Sequence, residues 1–407
     1  MKSQRLLPLL VLLPLIQFLA SCSKTLPPEF SDVATLAVPT SGESLAPKLT
    51  TGSNGQLLMS WLEKGEDGGT LKVSQFRDGA WQPATTVVGE PEMFVNWADL
   101  PSVTALDDKH WVAHWLSSTA AGPYAYNISV AQSFDAGTSW TDPIEPHTDG
   151  TASEHGFVSV YKHADGAGMV WLDGRKTVNT PSKDPLETGM SLRAATVTGD
   201  GTLRNEQVID DLVCDCCQTD IAVSSSGPVA AYRNRTDDEI RDIYVSLYRD
   251  GKWQAGTPVA NDGWQIAGCP VNGPAVAAAA DFVAISWFTA AHDAPMVRAS
   301  ISKDGGRSFN EPVLISDDIP AGHVDIAYVG NSVFAVSWLS DAAGDNTIKL
   351  RALSLDGTLG KVSTVGASKL SRNVPQMAAF DDKLILAWAG LNGDESDIVS
   401  VSVMRGR

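Results

Sequence analysis

Short apolar runs recur down this chain, each closing on an aromatic residue at Trp61, Trp115, Trp171, Tyr232, Trp287, Trp338 and Trp388. Read from the numbering, the steps between them are 54, 56, 61, 55, 51 and 50 residues. After each aromatic comes a polar gap, a second stretch in which apolar and polar residues alternate, and a tight turn, often Asp-Gly. In the second copy, Ser102–Ala105, Trp111–Trp115 and Tyr126–Ser133 read as three strands, and Ile144 lies near a fourth. Alternation of this kind marks half-buried strands, and helical periodicity is absent beyond residue 22. A unit of four short strands cannot bury its apolar face alone, so seven copies in a row predict radial stacking. The expected fold is all-β, a seven-bladed β-propeller of four-stranded blades. The last copy stops at Ser400–Val403 without a fourth strand, whereas Phe30–Pro39 has strand character and no partner of its own. The N-terminal strand is therefore predicted to complete the last blade and close the ring, making residues 29–407 one domain.

The turn between the third and fourth strands is the sharpest local motif. One copy runs from Ser133 through Asp135 and Gly137 to Trp140; another runs from Ser302 through Asp304 and Gly306 to Phe309. Asp can accept backbone amides within such a turn, Gly supplies positive φ, and the aromatic packs back onto the blade. Both copies resemble the Asp box (BNR repeat) of sialidase-type propellers, S-x-D-x-G-x-[ST]-[WF]. That resemblance covers the whole mature chain at the level of blade and turn, although the chain has one blade more than known sialidases. It implies three arginines on a substrate carboxylate, a Tyr–Glu nucleophile pair and an Asp acid/base, an exception to the two-carboxylate glycosidase scheme. The family's first arginine sits in an R-I-P motif near the first blade. Here no arginine lies between Cys22 and Arg77, and no R-I-P occurs. Arg175, Arg233 and Arg372 could form a replacement triad, and Glu239, Asp242 and Tyr244 are nearby in sequence, but no residue is assigned as catalytic.

Strands alternate in direction within a blade. The connections after the second strands and those leading into each new blade therefore share one face, opposite the Asp-Gly turns. Loops from all blades converge there over the central channel, so a ligand site is expected on that face. Its candidates are Trp97, His155, Arg175, Gln218, Arg233, Trp264, Asn272, His323, Arg372 and Asn373. Trp97 and Trp264 could be stacking platforms for sugar or plugs between blades. The one long loop, 173–190, has a length often associated with function.

Cys214, Cys216, Cys217 and Cys269 all fall in two consecutive loops of this face. In an oxidising compartment two disulfides are expected, and four cysteines allow three pairings. The alternative is a soft-metal site for zinc or cuprous copper, with C-x-x-C spacing between Cys214 and Cys217 and His155 or His323 on the same face. No other cofactor is expected.

Composition and the N-terminus bear on location. Lys2, Arg5 and the apolar run Leu6–Leu19 read as a secretory signal over residues 1–21. The sequence Leu19-Ala20-Ser21-Cys22 resembles a bacterial lipobox, which implies a lipidated Cys22, a tether over 22–28 and a membrane partner held through lipid. Ser23 after the cysteine implies outer-membrane sorting in the cell envelope. The formal charge of −18, with a pI near 4.7, excludes nucleic acid as a natural partner. The leading expectation is a lipid-anchored propeller that recognises a glycan or protein ligand on its channel face. An exo-glycosidase of sialidase type and a metal-handling envelope protein using the cysteine loops are the alternatives.

Overall fold

The computed structural model describes residues 27–66, 68–178, 181–341, 346–370 and 372–406. Seven antiparallel sheets form as many blades in a ring. In each, the second strand is the most apolar segment. Leu57–Gly65 is buried over its first seven residues, and Val333–Ser340 is buried throughout. A strand covered on both faces by neighbouring blades needs apolar side chains in both directions, which is why these segments read as continuous runs rather than alternating ones.

The hydrophobic core is distributed between the blades. One cluster joins Leu58, Leu62 and Leu71 of the first blade to Val103 and Trp115 of the second. Another joins Leu57 and Trp61 of the first to Ile385 and Ile398 of the seventh. All seven repeat aromatics are at most 2% exposed. Five of them donate to a carboxylate: Trp61 to Glu63 at 3.0 Å, Trp115 to Glu90 at 3.0 Å, Trp171 to Asp173 at 3.0 Å, Tyr232 to Asp210 at 2.6 Å and Trp287 to Asp262 at 2.6 Å. A buried aromatic N–H or O–H gains from a partner, and in these five a carboxylate provides it.

The seventh blade is closed as expected. Phe30–Leu36 pairs antiparallel with Glu395–Arg405, and the sheet order runs on through Lys383–Asn392 to Gln376–Phe380. The second blade is thinner than anticipated. Its regular sheet has three strands, and the fourth position is filled by a single bridge between Val130 and Ile144. Pro143 next to Ile144 lacks an amide hydrogen, which limits ladder formation there.

The Ser133 turn has the expected chemistry. Asp135 accepts from the Ser139 amide at 2.8 Å and its hydroxyl at 2.6 Å, and Ser133 Oγ accepts from the Gly137 amide at 2.8 Å. The Ser302 turn repeats it, with Asp304 accepting from Ser308 at 2.9 and 2.6 Å and Ser302 Oγ from the Gly306 amide at 2.8 Å. Trp140 and Phe309 pack against the cores of their blades. No helix among the described residues is long and apolar enough to cross a membrane. Cys22 and residues 1–21 lie outside the described residues.

Candidate functional site

The loops of the channel face carry many polar side chains, and most of them bond to the framework. Arg233, 2% exposed, donates Nε to the Asn272 carbonyl at 2.9 Å, Nη1 to the Arg241 carbonyl at 2.6 Å and Nη2 to the Phe288 carbonyl at 2.8 Å. Trp264 covers it, with the guanidinium carbon 4.8 Å from the indole centroid. At 6% exposed and packed on Phe288, Trp264 is a plug rather than a platform.

Gln218 donates to the Ala98 carbonyl at 2.7 Å and accepts from the Gly273 amide at 3.1 Å. Asn272 accepts from the His323 amide at 2.7 Å, and Asn373 donates to the Ala389 carbonyl at 2.6 Å and accepts its amide at 3.1 Å. Trp97 is half-buried and meets His323 edge to face, ring centroids 5.7 Å apart. Burial pushes His323 down to about 4, so its ring is neutral at physiological pH.

The three arginines set out as a replacement triad are engaged differently. Arg175 is held by Asp173, with Nε at 2.6 Å, and by Asp149 and Glu206 at 3.4 and 3.3 Å. Arg233 is committed to carbonyls, and Arg372 is exposed on the seventh blade. Asp242 accepts the Gly263 and Trp264 amides at 2.9 and 3.0 Å, which fixes a loop.

Two clusters that the sequence did not single out lie beside these residues. Tyr126 donates to Glu154 at 2.7 Å, and Asp99 Oδ2 stands 3.4 Å from the same hydroxyl. Asp99 also accepts the Phe157 amide at 2.8 Å, linking the second blade to the third. Burial pushes Asp99 up to about 8 and Glu154 up to about 7, against the lowering effect of these hydrogen bonds. In the second cluster, His147 and His155 stack in parallel planes 3° apart, centroids at 3.9 Å. Both face Asp149 Oδ1, at 3.2 and 3.3 Å. Imidazoles bind an ion through in-plane lone pairs, and two stacked, parallel rings cannot direct those at one ion. This trio therefore does not fit a metal. His147, Asp149 and His155 all come from the one connection between the second and third blades, whereas the Tyr126–Glu154 contact joins segments of two blades.

The cysteines gather as anticipated. Cys214, Cys216 and Cys217 share the loop before Asp220–Ser224, and their sulfurs lie within 4.8 Å of one another. The expected disulfides are not formed in this structure: all four cysteines are free thiols, with Cys214 and Cys217 sulfurs 3.2 Å apart. The loop of Cys269 is pressed against theirs, since a Cβ on Gly273 would lie 2.2 Å from the Gln218 carbonyl oxygen. Arg241 Nη1 sits 3.3 Å from Cys214 Sγ and is anchored by Glu239 at 2.8 Å. The Cys214 thiol is held well below its ordinary range by hydrogen bonds from Cys216 and Cys217, with Arg233 and Arg241 adding positive charge against the opposing effect of burial.

No protein-family model matches this sequence, and no curated protein matches it. Solved structures do resemble it in fold. A Dyadobacter fermentans protein of unknown function is 13% identical, with a TM-score of 0.50 over 94% of this chain and all of its own. The phage phi92 endosialidase is 8% identical, with a TM-score of 0.51 over 94% of this chain and 70% of that one. The polysaccharide lyase Uly1 is 9% identical, with a TM-score of 0.50 over 91% of both. Likeness at such identities is one of fold alone, a β-propeller, which hosts many functions.

Proposed function

We propose that this chain is a recognition module that holds a glycan or protein ligand against its channel face, tethered to the cell envelope through lipid on Cys22. The observation that carries the reading is the contrast between two sets of side chains on that face. The polar candidates Arg233, Gln218, Asn272 and Asn373 are engaged with backbone, so they shape the surface without reaching out of it. Large apolar side chains stand exposed on the same connections: Tyr124 at 67%, Leu186 at 47%, Ile319 at 66% and Leu391 at 40%. Exposed aromatic and aliphatic groups over a rigid polar frame suit binding. Shallow, open depressions of about 220 and 490 Å³ lie at the Phe134 turn on the opposite face.

Hydrolysis of sialidase type is the second reading, and the Tyr126–Glu154 contact favours it. Against it, Tyr126 is 2% exposed and Asp99 1% exposed, so a sugar carbon has no approach to the phenol oxygen. A glycan array on the purified chain, run beside a sialoside hydrolysis assay, tests the two together. Binding that Tyr124→Ala weakens, without turnover, is the expected result. Turnover abolished by Glu154→Gln in a folded variant would replace recognition with catalysis.

A further inference from the structure

We propose that Cys214, Cys216, Cys217 and Cys269 form a binding site for one thiophilic d10 ion, Zn(II) or Cu(I), on the channel face. The proposal is independent of ligand recognition by the same face and rests on the position of the sulfurs. Thiolates around one such ion, with metal–sulfur bonds of about 2.3 Å, stand roughly 3.8 Å apart in a tetrahedral site. The Cys214, Cys216 and Cys217 sulfurs already lie within 4.8 Å of one another. The Cys214 and Cys217 sulfurs, 3.2 Å apart, are far from the S–S bond length of about 2.05 Å. Little motion is needed for these thiols to surround an ion.

The fourth donor is Cys269 of the next loop, which lies outside the group of three sulfurs within 4.8 Å of one another. The two loops are locked by the Gly273–Gln218 bond at 3.1 Å, so the ligand set is held by the fold before an ion arrives. Burial is graded across the site. Cys214 and Cys217 are 1% and 2% exposed, Cys216 is intermediate and Cys269 is open to solvent. That gradient gives an ion a path inward past Cys269 and a dry seat beneath it. Three or four thiolates leave the complex with net negative charge, and Arg241 Nη1, 3.3 Å from Cys214 Sγ, is the cation that offsets it from outside the ligand shell. Purely sulfur donors select soft, closed-shell ions over oxygen-seeking ones. Each thiol that ligates releases its proton to solvent, so uptake weakens as pH falls.

The test is elemental analysis of the full chain purified without reductant, with thiol labelling mapped at the four positions by peptide mass spectrometry. The expected result is one zinc or copper per chain, with labelling suppressed until a chelator is added. Bathocuproine disulfonate releases the ion if it is Cu(I), and EDTA under denaturing conditions if it is Zn(II). Cys214→Ser with Cys217→Ser is expected to abolish uptake. Arg241→Gln keeps the stoichiometry and weakens affinity by about 10- to 100-fold, the range for a group outside the ligand shell. Disulfides at these positions in the purified chain would overturn the proposal. So would four freely labelled thiols that take up neither ion, a result that needs no variant to fold.

Discussion

Arg233 shows how a charged side chain on a ligand face can belong to the framework. Its three bonds go to carbonyls of three separate segments, at Arg241, Asn272 and Phe288. Truncation strands three buried acceptors, each worth about 1–3 kcal/mol when left unpaired. Arg233→Ala is expected to lower stability by more than roughly 3 kcal/mol in a denaturant titration. Arg233→Lys will not rescue it, because a point charge cannot reach three directions in one plane. Asp99 carries a pH signature. Its ordinary value is 3.8 and burial moves it to about 8 in the folded chain. The folded state therefore binds the extra proton between those values, and stability falls as pH rises through that interval. Glu154, moved to about 7, acts in the same direction. Melting curves should show a lower Tm at pH 8 than at pH 5, and Asp99→Asn should flatten the difference.

Among the elements, the turns between third and fourth strands are the most tightly specified. Gly137 has φ of +78°, and a Cβ there would lie 2.7 Å from the Trp111 ring. Gly137→Ala combines backbone strain with a clash against an aromatic that has nowhere to move. A loss of about 1–3 kcal/mol is expected for such strain, measurable by chemical denaturation, while Gly79→Ala, with open space around it, bears the strain without the clash. The channel-face loops follow another logic. They are joined across blades by single polar groups, as when Gln218 accepts Gly273 and Asn272 accepts His323. Each such group sets the spacing of two neighbouring loops, which is how cysteines far apart in number come to share one patch.

For the whole molecule, the decisive contact is the pairing of Phe30–Leu36 with Glu395–Arg405, which joins the ends of the chain. This strand supplies the outer, fourth strand of the seventh blade, and the inner strands meet around the circle, the first blade against the seventh. Deleting residues up to Leu36 exposes a long strand edge and uncovers Phe30's place in the core of the last blades. The truncated chain is expected to lose its single cooperative unfolding transition and to aggregate, as read by circular dichroism and size-exclusion chromatography.

The ring is legible in local pattern alone. The period of Trp61 to Trp388, the unpaired strand at Phe30 and the Ser133 and Ser302 turns are local patterns, and burial on a blade needs only apolar residues in the right alternation. The same pattern also placed the cysteines and the arginines on one face, since strand direction alone decides that. What those residues do there depends on how the loops pack in three dimensions. Arg233, Trp264, Gln218 and Asn272 hold loops together, and the Tyr126–Glu154 pair joins two blades. Partners of this kind are chosen by distances between loops whose neighbours in space are some fifty residues away in the chain, and nothing in a linear pattern records which polar group will face which.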